Sequence, residues 1–165
     1  WLALPAAAAV LRWPRPAPPD LWVAAEGANV AVVQGGDAHL MLPEVRLFAA
    51  ELWTRRRGRA LVFGRFRCRQ RHCLPAPGLT PSVALWRWRT PPKPEQAAEL
   101  CRAEVLVWRA EAAPPAACRG TLVLTRAEMK RHGAAEVFRT PTGWRIVWTE
   151  PLRGVRPWTV SGSGA

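Results

Sequence analysis

Leu21-Trp-Val-Ala-Ala-Glu-Gly-Ala-Asn-Val-Ala-Val-Val-Gln-Gly-Gly-Asp-Ala-His-Leu-Met-Leu42 is a series of short apolar runs separated by turn residues. Residues 21–23 and 29–33 read as strands split by a turn at Glu26-Gly27, and Gly35-Gly36-Asp37 is a hairpin-type turn into a third strand, 39–42. From Glu44 the period changes. Val45, Phe48, Ala49, Leu52 and Trp53 follow helical spacing and form the expected buried face, and Gly58 supplies a C-cap. Arg55, Arg56 and Arg57 at that end also suit the negative pole of the helix dipole.

Further along, residues 61–68 alternate as a strand would, and Arg65, Arg67, Arg69 and Arg71 recur at period two. On one continuous strand all four side chains would share a face. Residues 83–89 alternate as well, with Trp86 and Trp88 on one side and Leu85, Arg87 and Arg89 on the other. A loop (90–94) leads to a short helix (95–102), an apolar strand (104–108), a loop (111–115) and another strand (121–124). Thr125-Arg-Ala-Glu128 is a capping box opening a helix that stops at Gly133. Residues 137–138 and 144–149 flank the turn Pro141-Thr-Gly143 as a terminal hairpin. Strands first, then alternating helix and strand, predict an α/β (α+β) fold with a mixed sheet and short helices packed outside it.

The flanks differ from this pattern. Residues 1–13 are apolar up to Arg12-Trp13 and read either as the outer end of a membrane helix or as an apolar arm. Residues 14–19 are a stiff Pro-rich linker, and residues 159–165, ending in Ser161-Gly-Ser-Gly-Ala165, read as a disordered tail.

Composition narrows the function without choosing it. Lys and Arg outnumber Asp and Glu by 24 to 12, a formal net charge of +12, which favours an anionic partner. Lys93 and Lys130 are the only lysines and Tyr is absent, so the bias of a GC-rich genome is an equally good source of that charge. The four cysteines form a close pair, Cys68 and Cys73, and a wide pair, Cys101 and Cys118. Two local disulfides, free thiols and a zinc site all remain open, zinc being disfavoured by the long second spacing. His39, His72 and His132 are isolated, and Asp20 and Asp37 are the only aspartates. No phosphate loop and no nucleophile elbow occurs.

Several segments, in order, resemble the C-terminal region of ComEC-family competence proteins of the divergent alphaproteobacterial type. They are Pro18-Pro-Asp-Leu-Trp-Val23, Phe66-Arg-Cys68 through Cys73-Leu74, Cys101-Arg-Ala-Glu-Val-Leu-Val107, Cys118-Arg-Gly-Thr-Leu-Val123, Gly133-Ala-Ala-Glu-Val-Phe-Arg-Thr140 with Gly143-Trp144, and Arg156-Pro157-Trp158. The resemblance implies one degenerate metallo-β-lactamase-like αββα sandwich over residues 20–158. It would be carried by a polytopic inner-membrane channel that passes one strand of DNA into the cytoplasm, with this domain on the periplasmic side. Metal-bearing members of such a fold need an HxHxDH-type cluster so that bound water becomes hydroxide. That cluster is missing from this sequence, so neither catalytic nor metal-binding residues are assigned and no cofactor is expected.

Three functions follow. The first is a module that binds or positions single-stranded DNA through Arg55, Arg56, Arg57, Arg59, Arg65, Arg67, Arg69 and Arg71, with Trp86 or Trp88 stacking on bases or else packed in the core. The second is a structural domain resting on the membrane-channel portion of the same protein or on the inner membrane surface. The third is a metal-dependent nuclease or other hydrolase whose ligands are not evident.

Overall fold

The computed structural model describes residues 17–153. The expected apolar arm, the first half of the Pro-rich linker, the Arg156-Pro157-Trp158 motif and the tail lie outside the described residues.

Alternation within very short strands builds the architecture. Strands β1 (Leu21–Val23), β2 (Val30–Gln34), β3 (Asp37–Leu40), β4 (Ala60–Val62), β10 (Ala135–Thr140) and β11 (Gly143–Trp148) form a six-stranded mixed sheet in the order β11-β10-β1-β2-β3-β4. Strands β5 (Arg67–Cys68), β6 (His72–Leu74), β7 (Val83–Trp86), β8 (Val105–Trp108) and β9 (Leu122–Thr125) form a second, five-stranded mixed sheet in sequence order. Within it β7, β8 and β9 run parallel. Helices α1 (Leu47–Arg57), α2 (Pro94–Leu100), α3 (Arg126–His132) and α4 (Glu150–Arg153) connect or follow them.

Odd and even positions of each strand enter different layers. Leu21, Val23, Val30 and Val32 meet Val83, Leu85, Val105, Val107 and Leu124 in the core between the sheets. The alternate residues Trp22, Ala31, Val33, Ala38 and Leu40 pack against Ala50 and Trp53 of α1 on the outside of the first sheet. Ala84, Trp86, Leu106 and Trp108 pack with Leu100 of α2 on the outside of the second. Covering both faces explains why these strands read as nearly continuous apolar runs. The chain returns to the first sheet after building the second, and β10 pairs with β1 through Leu21 opposite Val137.

Several expectations are corrected. Of the predicted helical face, Trp53 is buried, but Phe48 is 77% exposed and Leu52 42%. The buried positions are instead Ala50, Trp53 and Thr54. The helix begins after Arg46, in the left-handed conformation, and its rotation follows Trp53, which stacks on Trp22 at 5.6 Å and donates Nε1 to Glu136 at 2.7 Å. Val45 precedes the helix and packs partly against the core between the sheets. The second correction concerns residues 61–68, which are not one strand. The backbone takes a positive φ of 86° at Gly64 and crosses from β4, an edge of one sheet, to β5, an edge of the other. The alternation read over 83–89 is a strand only as far as Trp86, and α4 is not among the expected elements; the capping box at Thr125 and Glu128 and the stop at Gly133 are as read.

All four cysteines are paired, Cys68 with Cys73 and Cys101 with Cys118. The first joins directly opposed residues of the β5–β6 hairpin. The second ties the end of α2 to the 3₁₀ turn Ala116–Cys118, closing the loop on the outer side of the second sheet. Thiol titration in denaturant should find no reactive thiol before reduction and four after. Replacing Cys101 and Cys118 together by Ala should cost about 3 kcal/mol of unfolding free energy, more than replacing the other pair, because it opens the longer loop.

Asn29 is fully buried at the start of β2. Its Oδ1 accepts from the amides of Val30 and Leu42 at 2.8 and 3.0 Å, and its Nδ2 donates to the carbonyls of Leu42 and Val45, both at 2.6 Å. This one side chain holds the segment between β3 and α1 on the sandwich. Asn29→Ala strands those buried groups and should lower stability by about 2–4 kcal/mol, measured by urea unfolding.

Candidate phosphate-binding surface

The arginines read from the sequence fall into separate places. At the end of α1, Arg57 donates Nε to Glu136 at 2.8 Å and pairs its Nη2 with the other oxygen of the same carboxylate. Arg59 donates to the Gly35 carbonyl at the hairpin turn. Both are engaged in holding α1 and the chain after it to the first sheet, whereas Arg55 and Arg56 are exposed. Arg67, Arg69 and Arg71 are exposed on the β5–β6 hairpin, whose tip closes by Arg69 N donating to His72 O at 2.8 Å. Arg65 lies between the sheets' edges, close enough to His39 to act on its titration.

The hairpin does not stack on α1. That helix covers the outer face of the six-stranded sheet, and the hairpin extends the edge of the other sheet, on the opposite side of the intervening core. Nor do the four period-two arginines form a ladder on one strand face, because β5 holds only Arg67 and Cys68 and the chain reverses between Arg69 and His72.

The hairpin tip instead continues into a basic rim that sequence reading had not assembled. Arg87 N donates to Arg71 O at 2.8 Å, which puts the tip at the end of the sheet where β7 finishes. Arg71 lies over the Trp88 ring at 5.0 Å, and Trp88 is 43% exposed. Beyond them Arg87, Arg109 and Arg126 each directly follow a strand, β7, β8 and β9 in turn. Arg89 is exposed nearby, 4.0 Å from Glu111. The signal in the sequence was the repeated apolar strand followed at once by Arg: Leu85-Trp-Arg87, Val107-Trp-Arg109 and Leu124-Thr-Arg126.

Trp86 and Trp108 are core residues, and their indoles donate to the carbonyls of Thr90 and Ala112 at 2.9 and 2.7 Å. They thus pin the loops that follow Arg87 and Arg109. Of Trp86, Trp88 and Trp108, Trp88 alone is exposed.

On the other side of the molecule Glu104 joins the two sheets. Its carboxylate accepts from the Ser82 amide at 2.8 Å and pairs with Arg139 of β10. Burial alone would raise the Glu104 carboxyl, but the Ser82 amide and Arg139 outweigh it and hold it below the ordinary range. The histidines are dispersed. His72 stacks on Trp86 and His132 contacts Glu150 at 2.6 Å, while His39 is buried with Nδ1 unpaired.

No family model, no curated protein and no solved structure matches this chain. Among the described residues, no group of three His, Cys, Asp or Glu side chains is placed to hold a metal ion, and no helix is long and apolar enough to cross a membrane. The described residues therefore do not supply the donor set that the dinuclear centre of metal-bearing metallo-β-lactamase-like domains needs.

Burial, and after it Arg65, lower the His39 pKa below its ordinary value, with Asp37 opposing. The folded protein therefore keeps this imidazole neutral where the unfolded chain binds a proton. Its contribution to stability is present above about pH 6.5 and is lost as pH falls from there through the folded pKa. Urea unfolding at about pH 7.5 and pH 5 should show that loss in the wild type and a smaller one in His39→Gln.

Proposed function

We propose that the chain is a non-catalytic module that binds or positions single-stranded DNA, in the manner expected of the C-terminal domain of a ComEC-like DNA-uptake channel. In this reading the two sheets between outer helices are a metallo-β-lactamase-like αββα sandwich that has lost its metal ligands. The domain would stand on the periplasmic side of the inner membrane, beside the channel portion of the same protein. The paired cysteines are consistent with an oxidising compartment.

The observation that carries the reading is the basic rim. Of the exposed hairpin arginines Arg67, Arg69 and Arg71, the last lies over the half-exposed Trp88 ring, and Arg87, Arg109 and Arg126 continue the positive edge across the sheet. A cationic groove with an aromatic platform is the arrangement that grips single strands without reading their sequence. From β6 to β9 the rim spans about 14 Å at roughly 4.8 Å per strand, the reach of a few nucleotides.

A second reading has its own observation. Phe48 and Leu52 are exposed on α1 one turn apart, with Arg55 and Arg56 exposed beyond them. Apolar side chains flanked by arginines suit docking on an anionic membrane surface.

Fluorescence anisotropy with a labelled oligothymidine should show binding that weakens steeply between about 50 mM and 200 mM salt. Arg67→Glu, Arg69→Glu and Arg71→Glu together should abolish most of it and reduce the log–log salt slope by about 2. Arg55→Glu with Arg56→Glu should leave DNA binding intact and reduce only the binding of anionic vesicles. No oligonucleotide binding at low salt would falsify the DNA reading.

A further inference from the structure

We infer that Arg87, Arg109 and Arg126 form a phosphate-binding site at the mouth of the sandwich, where the oxyanion sits between the ends of β7, β8 and β9 and the turn joining β1 to β2. The inference depends on the DNA reading only for where the phosphate comes from.

Register brings the three together. In the parallel strands Trp86 lies opposite Trp108, and Trp108 opposite Thr125. The next residues, Arg87, Arg109 and Arg126, therefore stand abreast at intervals of about 4.8 Å. The carboxyl ends of parallel strands are where open α/β sheets leave room for ligands, since their faces are covered. Alternation carries Arg87 and Arg109 onto the side of the sheet shared with Leu85 and Val107, which face the six-stranded sheet.

The opposite wall is the 3₁₀ turn Ala25–Gly27. Gly27, at φ 63°, packs so closely that a Cβ there would lie 2.8 Å from Val107 Cγ1 and 2.7 Å from Met129 Cε. That contact presses the turn onto β8 and α3 and holds Glu26 within the field of Arg109. Glu26 itself has φ 59°, a left-handed conformation that non-glycine residues rarely take and that recurs at binding sites.

Two features leave the mouth incomplete as it stands. The Nε of Arg109 is buried and donates to nothing. A buried donor without an acceptor is costly, and an oxyanion supplies the acceptor. The charges are also unbalanced. Burial, and after it the repulsion of Arg126, with smaller parts from Arg87 and Arg89, disfavours the charged Arg109 guanidinium, and Glu26 is the acid that opposes them. Several guanidinium forks around one point match the several oxygens of a tetrahedral phosphate better than a single carboxylate.

The source is either an internal phosphodiester of a strand or a terminal phosphate, and oligonucleotides with and without a 5′-phosphate separate them. Calorimetry with inorganic phosphate, against chloride at equal ionic strength, should show binding to the wild type. That binding should be about tenfold weaker in Arg109→Met and in Arg87→Met. Glu26→Gln should bind phosphate more tightly, because the competing carboxylate is gone. If Arg109→Met fails to fold, the more accessible Arg87→Met and Glu26→Gln carry the test.

A preference for the 5′-phosphorylated strand that Arg87→Met removes assigns a terminal phosphate. Equal binding of both strands, weakened by Arg87→Met, assigns an internal one. Phosphate affinity absent in the wild type, or unchanged in Arg87→Met, overturns the site. Oligonucleotide binding that responds to the hairpin variant alone likewise removes the site but leaves the DNA reading. Phosphate binding lost in Arg87→Met with no oligonucleotide bound by any form keeps the site and removes the DNA reading.

Discussion

Both faces of the central strands in each sheet are covered, and nearly everything else about this protein follows from that constraint. A strand buried on two sides has little room for a charged side chain along its length, because an ion removed from water without a partner is heavily penalised. Val30 to Val33, Val83 to Trp86 and Val105 to Trp108 are accordingly apolar at every position. Polar chemistry is displaced to strand ends, edge hairpins and the outer helices, and the basic residues are found there.

The same constraint sorts an excess of arginine into different roles. A net charge of +12 does not by itself distinguish a genomic bias from a binding surface. Position does. Arg57 shares the Glu136 carboxylate with Trp53, Arg59 caps a turn carbonyl, and Arg139 ties β10 to Glu104 of the other sheet. These are structural cations with local partners. The row at the strand ends differs: Arg87 reaches the Gln70 carbonyl only at 3.5 Å, and Arg109, buried and repelled by Arg126, Arg87 and Arg89, has Glu26 as the acid that opposes them. Like charges gathered by a rigid sheet register, rather than spread over a flexible surface, mark the place where an anion would do most to lower the energy.

The aromatic residues divide similarly. Trp22, Trp53, Trp86 and Trp108 are buried, and the last three also donate their indole N–H to a fixed acceptor, as buried tryptophans usually do. Trp88 lies just past the end of β7 and is half-exposed, with Arg71 over its ring. A single residue separates Trp86 from Trp88, yet one belongs to the core and the other to the rim.

Local chemistry written in the sequence was enough to locate most elements. The turn glycines, the Thr125–Glu128 capping box, the Gly58 and Gly133 stops and the apolar runs mark helix and strand because each acts over a few residues. The rotation of α1 was not determined locally, since Phe48 and Leu52 satisfy a helical period as well as Ala50 and Thr54 do, and only the seat of Trp53 against Trp22 and Glu136 chooses between them. The apparent arginine ladder likewise looked continuous because alternation carries no record of a chain leaving one sheet for another at Gly64. The row of Arg87, Arg109 and Arg126 depends on residues up to 39 positions apart becoming neighbours. Strand order and parallel register are set by packing across the whole sandwich, so that juxtaposition exists only once the tertiary structure has formed.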